Sequence, residues 1–193
     1  MGALEVLIVD ILKETGLDHL SIKTRLGLEL PGYYRPEKKW DLIVVTRGSL
    51  VCALEFKSQV GPSFGNNFNN RSEEALGNSV DLWTAYREGR LGNSPRPFLG
   101  YFFLLEDCPK VHRPVKVVEP HFLVDPIFKD ASYAKRYELL CRRLVLERNY
   151  DAACLTLATN EAKTKVSHPA DDLSFDRFVL ELRAAASRFV GNG

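Results

Sequence analysis

Three ionisable side chains stand where two neighbouring strands of a hairpin could bring them together. Asp41 precedes the apolar run Leu42–Thr46, and Glu55 and Lys57 lie near the end of a second apolar run. Successive side chains of a strand point to opposite faces, so Glu55 and Lys57 share one face. A turn of three residues, 47–49, would pair position 46 with 50 and therefore 41 with 55. The sequence thus predicts that these three side chains converge.

Two carboxylates and a lysine in this arrangement could bind a divalent cation and cut a phosphodiester bond. Opposed residues on antiparallel strands lie about 5 Å apart, and two carboxylates at that distance repel unless a cation lies between them. Hard oxygen ligands favour Mg²⁺ over Zn²⁺. A lysine beside such carboxylates can hold and activate the water that attacks phosphorus. We interpret Asp41, Glu55 and Lys57 as candidate catalytic residues, and Asp41, Glu55 and the carbonyl of Phe56 as candidate Mg²⁺ ligands.

The same spacing also has a purely structural interpretation. An aspartate followed at a distance by Glu-x-Lys arises by chance in many soluble proteins. Charged side chains on a solvent-facing strand usually have no catalytic role. Trp40 and the run Leu42–Thr46 instead favour a buried strand, and buried carboxylates require partners.

The segments that must position these residues alternate between helical and strand patterns. We predict helices near the N-terminus, ending at Gly16, and over about 72–87, 131–147 and 175–189. We predict strands at 42–46, 50–56, 98–105 and 153–158, with a weaker candidate at 121–124. Residues 28–37 are predicted to be an irregular connection and residues 61–71 a polar loop. This order indicates an α/β fold of three layers, with a mixed central sheet flanked by helices.

Length and composition exclude several classes of protein. The 193 residues are 45% hydrophobic, and 26 Lys+Arg against 25 Asp+Glu give a net charge of +1. Such a chain is neither collagenous nor disordered, and it is no polybasic binder. No run approaches the ~20 apolar residues of a membrane span, and no signal peptide is recognisable. We therefore expect one soluble, cytoplasmic domain over 1–193 that makes no contact with a membrane.

Polar and basic side chains near the strand ends are candidates for DNA contacts. Lys38 and Lys39 could contact phosphates, although paired lysines more often form a solvated edge. Asparagine and glutamine can bond adenine and arginine can bond guanine, whereas asparagine also favours turns for local reasons. Phe64 and Phe68 are expected to anchor the predicted loop to the core. The remaining candidates are Gln59, Ser63, Asn66, Asn67, Asn69, Asn70 and Arg71.

Several longer stretches share a recognisable pattern. They are Leu30-Pro31-Gly32-Tyr33-Tyr34-Arg35-Pro36, Trp40-Asp41, and the segment from Glu55-Phe56-Lys57 through the asparagine-rich residues to Arg71. Together with 73–75, 86–89, 106–108 and 131–138, they resemble the XhoI family of type II restriction endonucleases. The resemblance covers most of residues 20–148, and its match through an unusual asparagine-rich segment is more specific than three charged positions.

This resemblance implies the restriction-endonuclease-like fold with a PD-(D/E)xK active site. Asp41 and Glu55 fall on the metal-ligand positions of that motif and Lys57 on its lysine, while Trp40 replaces the usual proline. The resemblance also implies Mg²⁺-dependent cleavage of the palindrome CTCGAG in double-stranded DNA by a homodimer. Residues 149–193 would add a C-terminal strand and helix to a single nuclease domain.

Two other functions are compatible with the same fold. One is a DNA-binding protein that has lost cleavage, because members of the family are expected to carry several dozen further residues on the N-terminal side. The other is a repair nuclease with relaxed specificity. A zinc site built from Cys108, His112 and His121 is disfavoured, since their spacing fits no standard closed site.

Overall fold

A computed structural model describes residues 2–190 and has a mixed sheet between two pairs of helices. The helices in the described range are α1 (Gly2–Glu14), α2 (Phe64–Arg87), α3 (Tyr133–Leu146) and α4 (Phe175–Val190). The strands are β1 (Ile22–Lys23), β2 (Glu29–Pro31), β3 (Glu37–Lys39), β4 (Leu42–Thr46), β5 (Ser49–Gln59), β6 (Phe98–Glu106), β7 (Ala152–Ala158) and β8 (Val166–Ser167). The predicted α/β class and restriction-endonuclease-like architecture are confirmed.

Strand order places the longest strand, β5, inside the sheet. The order of the six-stranded sheet is β1-β4-β5-β6-β7-β8, and β2 pairs with β3 in a separate two-stranded sheet. Strands β5, β6 and β7 run parallel, whereas β1, β4 and β8 are antiparallel to their neighbours. β5 therefore has an antiparallel hairpin partner on one side and a parallel strand on the other.

Alternation along β5 divides its side chains between two hydrophobic cores. Cys52, Leu54 and Phe56 pack with residues of α1 and α4. Leu50 and Ala53 pack with residues of α2 and α3. Glu55 and Lys57 lie on the same face of β5 as Ala53, so their side chains point to the α2/α3 side of the sheet, as the alternation predicts.

The hairpin between β4 and β5 has the predicted register beyond its turn, but the turn itself differs from the predicted one. Thr46 pairs with Ser49, so the turn takes two residues, both with positive φ, rather than the predicted three. A β-bulge then leaves Val51 without an opposite residue, because Val44 pairs with Cys52 and Val45 with Leu50. The extra residue restores the expected pairing from Val44 to Leu42. The predicted turn is wrong, yet the predicted register beyond the bulge is confirmed.

Helix α2 begins earlier than the asparagine-rich sequence suggests. The prediction of a polar loop over 61–71 is wrong, since the helix already starts at Phe64. Phe64 and Phe68, one helical turn apart, pack against Tyr133 and Tyr137 with ring centroids 6.0 and 5.2 Å apart. Burial of these rings outweighs the weak helix propensity of asparagine. The expectation that the two phenylalanines anchor this segment to the core is confirmed.

Two other predicted connections also differ in the structure. The irregular segment 28–37 contains β2 and the start of β3, which pair as a small hairpin through Leu30 and Lys38. The strand candidate at 121–124 is wrong: Phe122 and Leu123 are 88% and 80% exposed and form no ladder. An apolar run without a neighbouring strand has no partner for its backbone, so composition alone does not make it a strand.

None of the helices within residues 2–190 combines the length and the apolar character that a membrane-crossing helix requires.

Close packing of β5 against β6 gives a test of the fold. A Cβ atom at Gly100 on β6 would lie 2.6 Å from Leu54 Cδ2 and 2.9 Å from Phe178 Cζ. Both side chains are fully buried, so Gly100→Ala is expected to destabilise the protein by about 1–3 kcal/mol. Calorimetry should show a melting temperature lower by roughly 2–4 °C for each kcal/mol.

The matched control is Gly77→Ala on the exposed face of α2, where an added Cβ meets nothing within 4 Å. This variant should gain about 0.5–1 kcal/mol, because alanine is the better helix former. A Gly100→Ala protein that melts at or above the wild-type temperature would contradict the described packing.

Candidate active site

Asp41 lies directly before β4, at the end of the hairpin where Glu55 and Phe56 lie on β5. The backbone N–H of Asp41 donates at 3.2 Å to the carbonyl of Leu54, the residue that pairs with Leu42. The Asp41 carboxylate in turn accepts a 2.7 Å hydrogen bond from the backbone N–H of Phe56. Asp41 is therefore fixed against β5 at the level of Glu55 and Phe56.

Glu55 is almost completely buried and is surrounded by cations. Its side chain is 2% exposed, and its two carboxylate oxygens lie 2.5 Å from Lys57 Nζ and 2.6 Å from Lys38 Nζ. The ammonium group of Lys38 also lies 4.2 Å from the centroid of the Trp40 ring. Because an isolated buried carboxylate is strongly unfavourable, the two lysines offset the cost of burying Glu55.

Asp41 is the carboxylate of the pair whose ionised form is destabilised by its surroundings. Burial raises its pKa above the ordinary aspartate value, and the nearby Glu55 carboxylate adds to the rise. The Phe56 N–H and the ammonium groups of Lys57 and Lys38 act in the opposite direction without cancelling it. A raised pKa of this origin marks a site where additional positive charge would be stabilising.

The donor set fits a divalent cation that is shared with a phosphate. Within residues 2–190, no group of three or more His, Cys, Asp and Glu side chains could hold a metal ion, and this includes Cys108, His112 and His121. Asp41 and Glu55 offer two carboxylates next to the Phe56 backbone. Mg²⁺ commonly binds through one or two carboxylates together with substrate phosphate and water. The residues present are therefore adequate for Mg²⁺ only when a phosphate completes the coordination.

Helix α2 supplies partners that the sequence did not reveal. Glu74 lies 3.7 Å from Lys57 Nζ and pairs with Arg71 at 2.5 Å. One turn further along α2, the Asn78 side chain donates to Glu55 at 3.3 Å. The helical spacing of Arg71, Glu74 and Asn78 could have indicated a common face, but nothing local connects that face to Glu55.

The structure distributes the candidate DNA contacts over different environments. Lys39, Ser63, Asn66, Asn69 and Asn70 are exposed, whereas Asn67 and Arg71 are half-buried.

Two of the candidates are engaged inside the protein. Lys38 is directed onto Glu55. Gln59 is 2% exposed and its amide donates to the carbonyl of Val60, so its side chain cannot reach a base edge in this conformation.

Comparison with known proteins finds one family model and several related enzymes. The model of the family "Restriction endonuclease XhoI" matches residues 1–169. The type II restriction enzyme BstVI of Geobacillus stearothermophilus is 49% identical over 183 residues, which cover 91% of this chain and 82% of that enzyme.

Two further relatives are the type II restriction enzymes XhoI of Xanthomonas vasicola, 53% identical over 149 residues, and AbrI of Azospirillum brasilense, 57% identical over 117 residues. These alignments cover 76% and 60% of this chain but only 60% and 53% of the two enzymes. No solved structure matches the chain.

The raised pKa of Asp41 predicts a pH-dependent gain in stability on its neutralisation. Between its unfolded and folded pKa values the folded protein binds more protons, so ionised Asp41 lowers stability as the pH rises. Asp41→Asn keeps an acceptor for the Phe56 N–H and should raise the melting temperature in EDTA at pH 7. A gain of about 2–4 °C corresponds to 1 kcal/mol in a domain of this size. The gain should vanish below about pH 4, where aspartate is protonated in both states.

Asp10→Asn is the control, because Asp10 is exposed on α1 and only pairs with Lys13 at 3.4 Å; it should melt like the wild type throughout. An Asp41→Asn protein less stable than the wild type at pH 7 would show that the ionised form of Asp41 is not destabilised by its surroundings.

Proposed function

This chain belongs to the XhoI family of restriction endonucleases, which are site-specific deoxyribonucleases, and we propose that it cleaves double-stranded DNA at CTCGAG in a Mg²⁺-dependent reaction. The observation that carries the proposal is the convergence of Asp41, Glu55 and Lys57 on one hairpin. A buried and a half-buried carboxylate beside a partly exposed lysine supply the groups that metal-assisted phosphodiester hydrolysis uses.

The two carboxylates and the Phe56 carbonyl would hold Mg²⁺ at the scissile phosphate. A bound divalent ion lowers the pKa of its water and offsets the charge that develops on the phosphate. Lys57 is 23% exposed while its ammonium group contacts Glu55, so it can reach an incoming water without leaving the carboxylate. We assign it to orienting that water for attack on phosphorus.

Lys38 has a different place in the proposed reaction. Its ammonium group sits between Glu55 and the Trp40 ring and its side chain is only 11% exposed. It therefore offsets the charge of Glu55 from inside the protein. Any contact that it makes with a phosphate would be at the cleavage site itself, not on the outer surface.

The proposed DNA-contacting face comprises β3 and the first turns of α2. Exposed Lys39 is suited to a phosphate, while exposed Asn66, Asn69 and Asn70 are suited to base edges. This face adjoins the cleavage site, since Arg71 reaches Lys57 through Glu74.

A palindromic target favours a two-fold symmetric arrangement of the protein. Each copy would then place one set of Asp41, Glu55 and Lys57 on one strand. We accordingly propose a homodimer, with residues 1–193 forming one nuclease domain in each subunit.

Removal of one carboxylate should abolish cleavage while leaving DNA bound. Glu55→Gln keeps the side-chain volume, and cleavage of a CTCGAG duplex in Mg²⁺ should fall by about 10²–10³-fold or more. Binding of the same duplex, measured by fluorescence anisotropy, should change little, because Glu55 is buried and would not contact the bases. Wild-type protein on a duplex with a scrambled site is the specificity control.

The pattern of products separates this proposal from the other functions. Discrete fragments from wild-type protein and CTCGAG plasmid support a restriction enzyme, no cleavage indicates a protein that only binds DNA, and a smear indicates relaxed specificity. Undiminished Mg²⁺-dependent cutting by Glu55→Gln would refute the assignment of the site.

Base-edge and phosphate contacts should respond differently to substitution. Asn70→Ala, on a cleavage-deficient Asp41→Asn background, should reduce the preference for CTCGAG over a substituted duplex by about 1–3 kcal/mol. Lys39→Ala should weaken binding to both duplexes equally and lower the salt slope of binding by about one. Anisotropy titrations at several salt concentrations measure both quantities, and Gly77→Ala on the same helix serves as the neutral control. Equal effects of Asn70→Ala on both duplexes would remove Asn70 from the specificity set.

A further inference from the structure

A chain of hydrogen bonds links the buried Glu55 to the turn that precedes β3. The amide nitrogen of Asn78 donates to Glu55 at 3.3 Å, and its oxygen accepts from Arg35 Nη2 at 2.8 Å. Arg35 Nε donates to Asp81 at 2.7 Å. Asn78 and Asp81 are 8% and 4% exposed, whereas the Arg35 side chain is 41% exposed, so the contact of Asn78 with Glu55 is shielded from water and the contacts of the guanidinium group are only partly shielded.

The partners of Asn78 allow only one orientation of its amide. A guanidinium group can only donate hydrogen bonds and an ionised carboxylate can only accept them. The amide oxygen must therefore face Arg35, which directs the NH₂ group to Glu55. A flipped amide would set its oxygen against the Glu55 carboxylate and its NH₂ group against the Arg35 donors, so both hydrogen bonds of Asn78 would be lost.

Asp81 anchors the far end of this chain. One carboxylate oxygen accepts from the backbone N–H groups of Tyr33 and Tyr34 at 2.8 and 2.9 Å, and the other accepts from Arg35. Although burial acts to raise the pKa of Asp81, these donors together lower it. Asp81 is therefore a charged, fixed end point for the Arg35 guanidinium.

We propose that Asn78 and Arg35 are positioning residues that hold the Glu55 carboxylate in one orientation for metal binding. The inference rests on the proposed function, because it gives Glu55 the role of metal ligand. Lys57 and Lys38 carry charge on flexible stems, so they stabilise Glu55 without fixing the plane of its carboxylate. The Asn78 amide, held by a planar guanidinium, supplies the directional contact, and outer partners of this kind orient metal ligands.

Asn78→Leu tests the proposal, because it removes the amide at similar volume. Binding of Mn²⁺ to the protein with a non-cleavable CTCGAG duplex would be followed by electron paramagnetic resonance, together with the Mg²⁺ dependence of cleavage. We expect the Mn²⁺ dissociation constant and the half-saturating Mg²⁺ concentration to rise by about 10–100-fold. DNA affinity should be unchanged, and high Mg²⁺ should recover most of the maximal rate.

Arg35→Lys is the second variant, since it retains the charge beside Asp81 but cannot also donate to Asn78. It should weaken Mn²⁺ binding in the same direction, and the double variant should be hardly weaker than Asn78→Leu, since both act along one path. Ser79→Ala is the matched control: Ser79 is fully buried on α2 and bonds Leu76 and Asn149 rather than Glu55. It should lower the melting temperature without changing Mn²⁺ affinity.

Unchanged Mn²⁺ affinity in folded Asn78→Leu or Arg35→Lys would overturn the proposal and leave the network a structural role only. Wild-type protein–DNA complex that binds no Mn²⁺ would overturn it as well. Wild-type protein that binds Mn²⁺ in an Asn78-dependent way but does not cut CTCGAG would support the positioning role and reject the proposed cleavage.

Discussion

The burial of one carboxylate, Glu55, is the constraint around which the rest of the site is organised. A carboxylate with 2% exposure is unfavourable unless charge and hydrogen bonds replace the lost water. The replacements come from three separate elements: Lys57 on β5, Lys38 on β3 and Asn78 on α2. The small β2–β3 hairpin and the long helix α2 must therefore both dock correctly before Glu55 has all of these partners.

The proximity of the two carboxylates was predictable because it follows from the two-residue periodicity of strands. Apolar runs gave the strands of the hairpin, and alternation placed Glu55 and Lys57 on one face. The opposition of Asp41 and Glu55 followed from an assumed three-residue turn, whereas the protein uses a two-residue turn and a bulge at Val51. A three-residue turn, and a two-residue turn followed by a one-residue bulge, each insert one additional residue before the ladder, so both give the same register beyond Val44. A bulge leaves no mark in the hydrophobic pattern, since Val51 and Cys52 both belong to the core under α1 and α4.

The remaining partners could not be predicted, because they depend on packing between distant segments. Asn78 and Arg35 are 43 residues apart and meet only when α2 lies across the sheet. The early start of α2 was hidden for a related reason, since asparagine propensity is a local preference and the packing of Phe64 and Phe68 on α3 is not. Lys38 looked like a surface lysine because nothing near it in sequence indicates a buried acid.

The two carboxylates of the pair are held in unequal ways, and this inequality has a chemical consequence. Glu55 has cations on both oxygens and an oriented amide beside it, whereas the described partner of the Asp41 side chain is a single backbone N–H. Burial and the charge of Glu55 make ionised Asp41 unfavourable despite that contact. Added positive charge between the two would therefore relieve Asp41 more than Glu55. An arrangement in which one carboxylate is fully paired and its neighbour is under-compensated avoids the stability cost of two unpaired charges and leaves room for further positive charge beside Asp41.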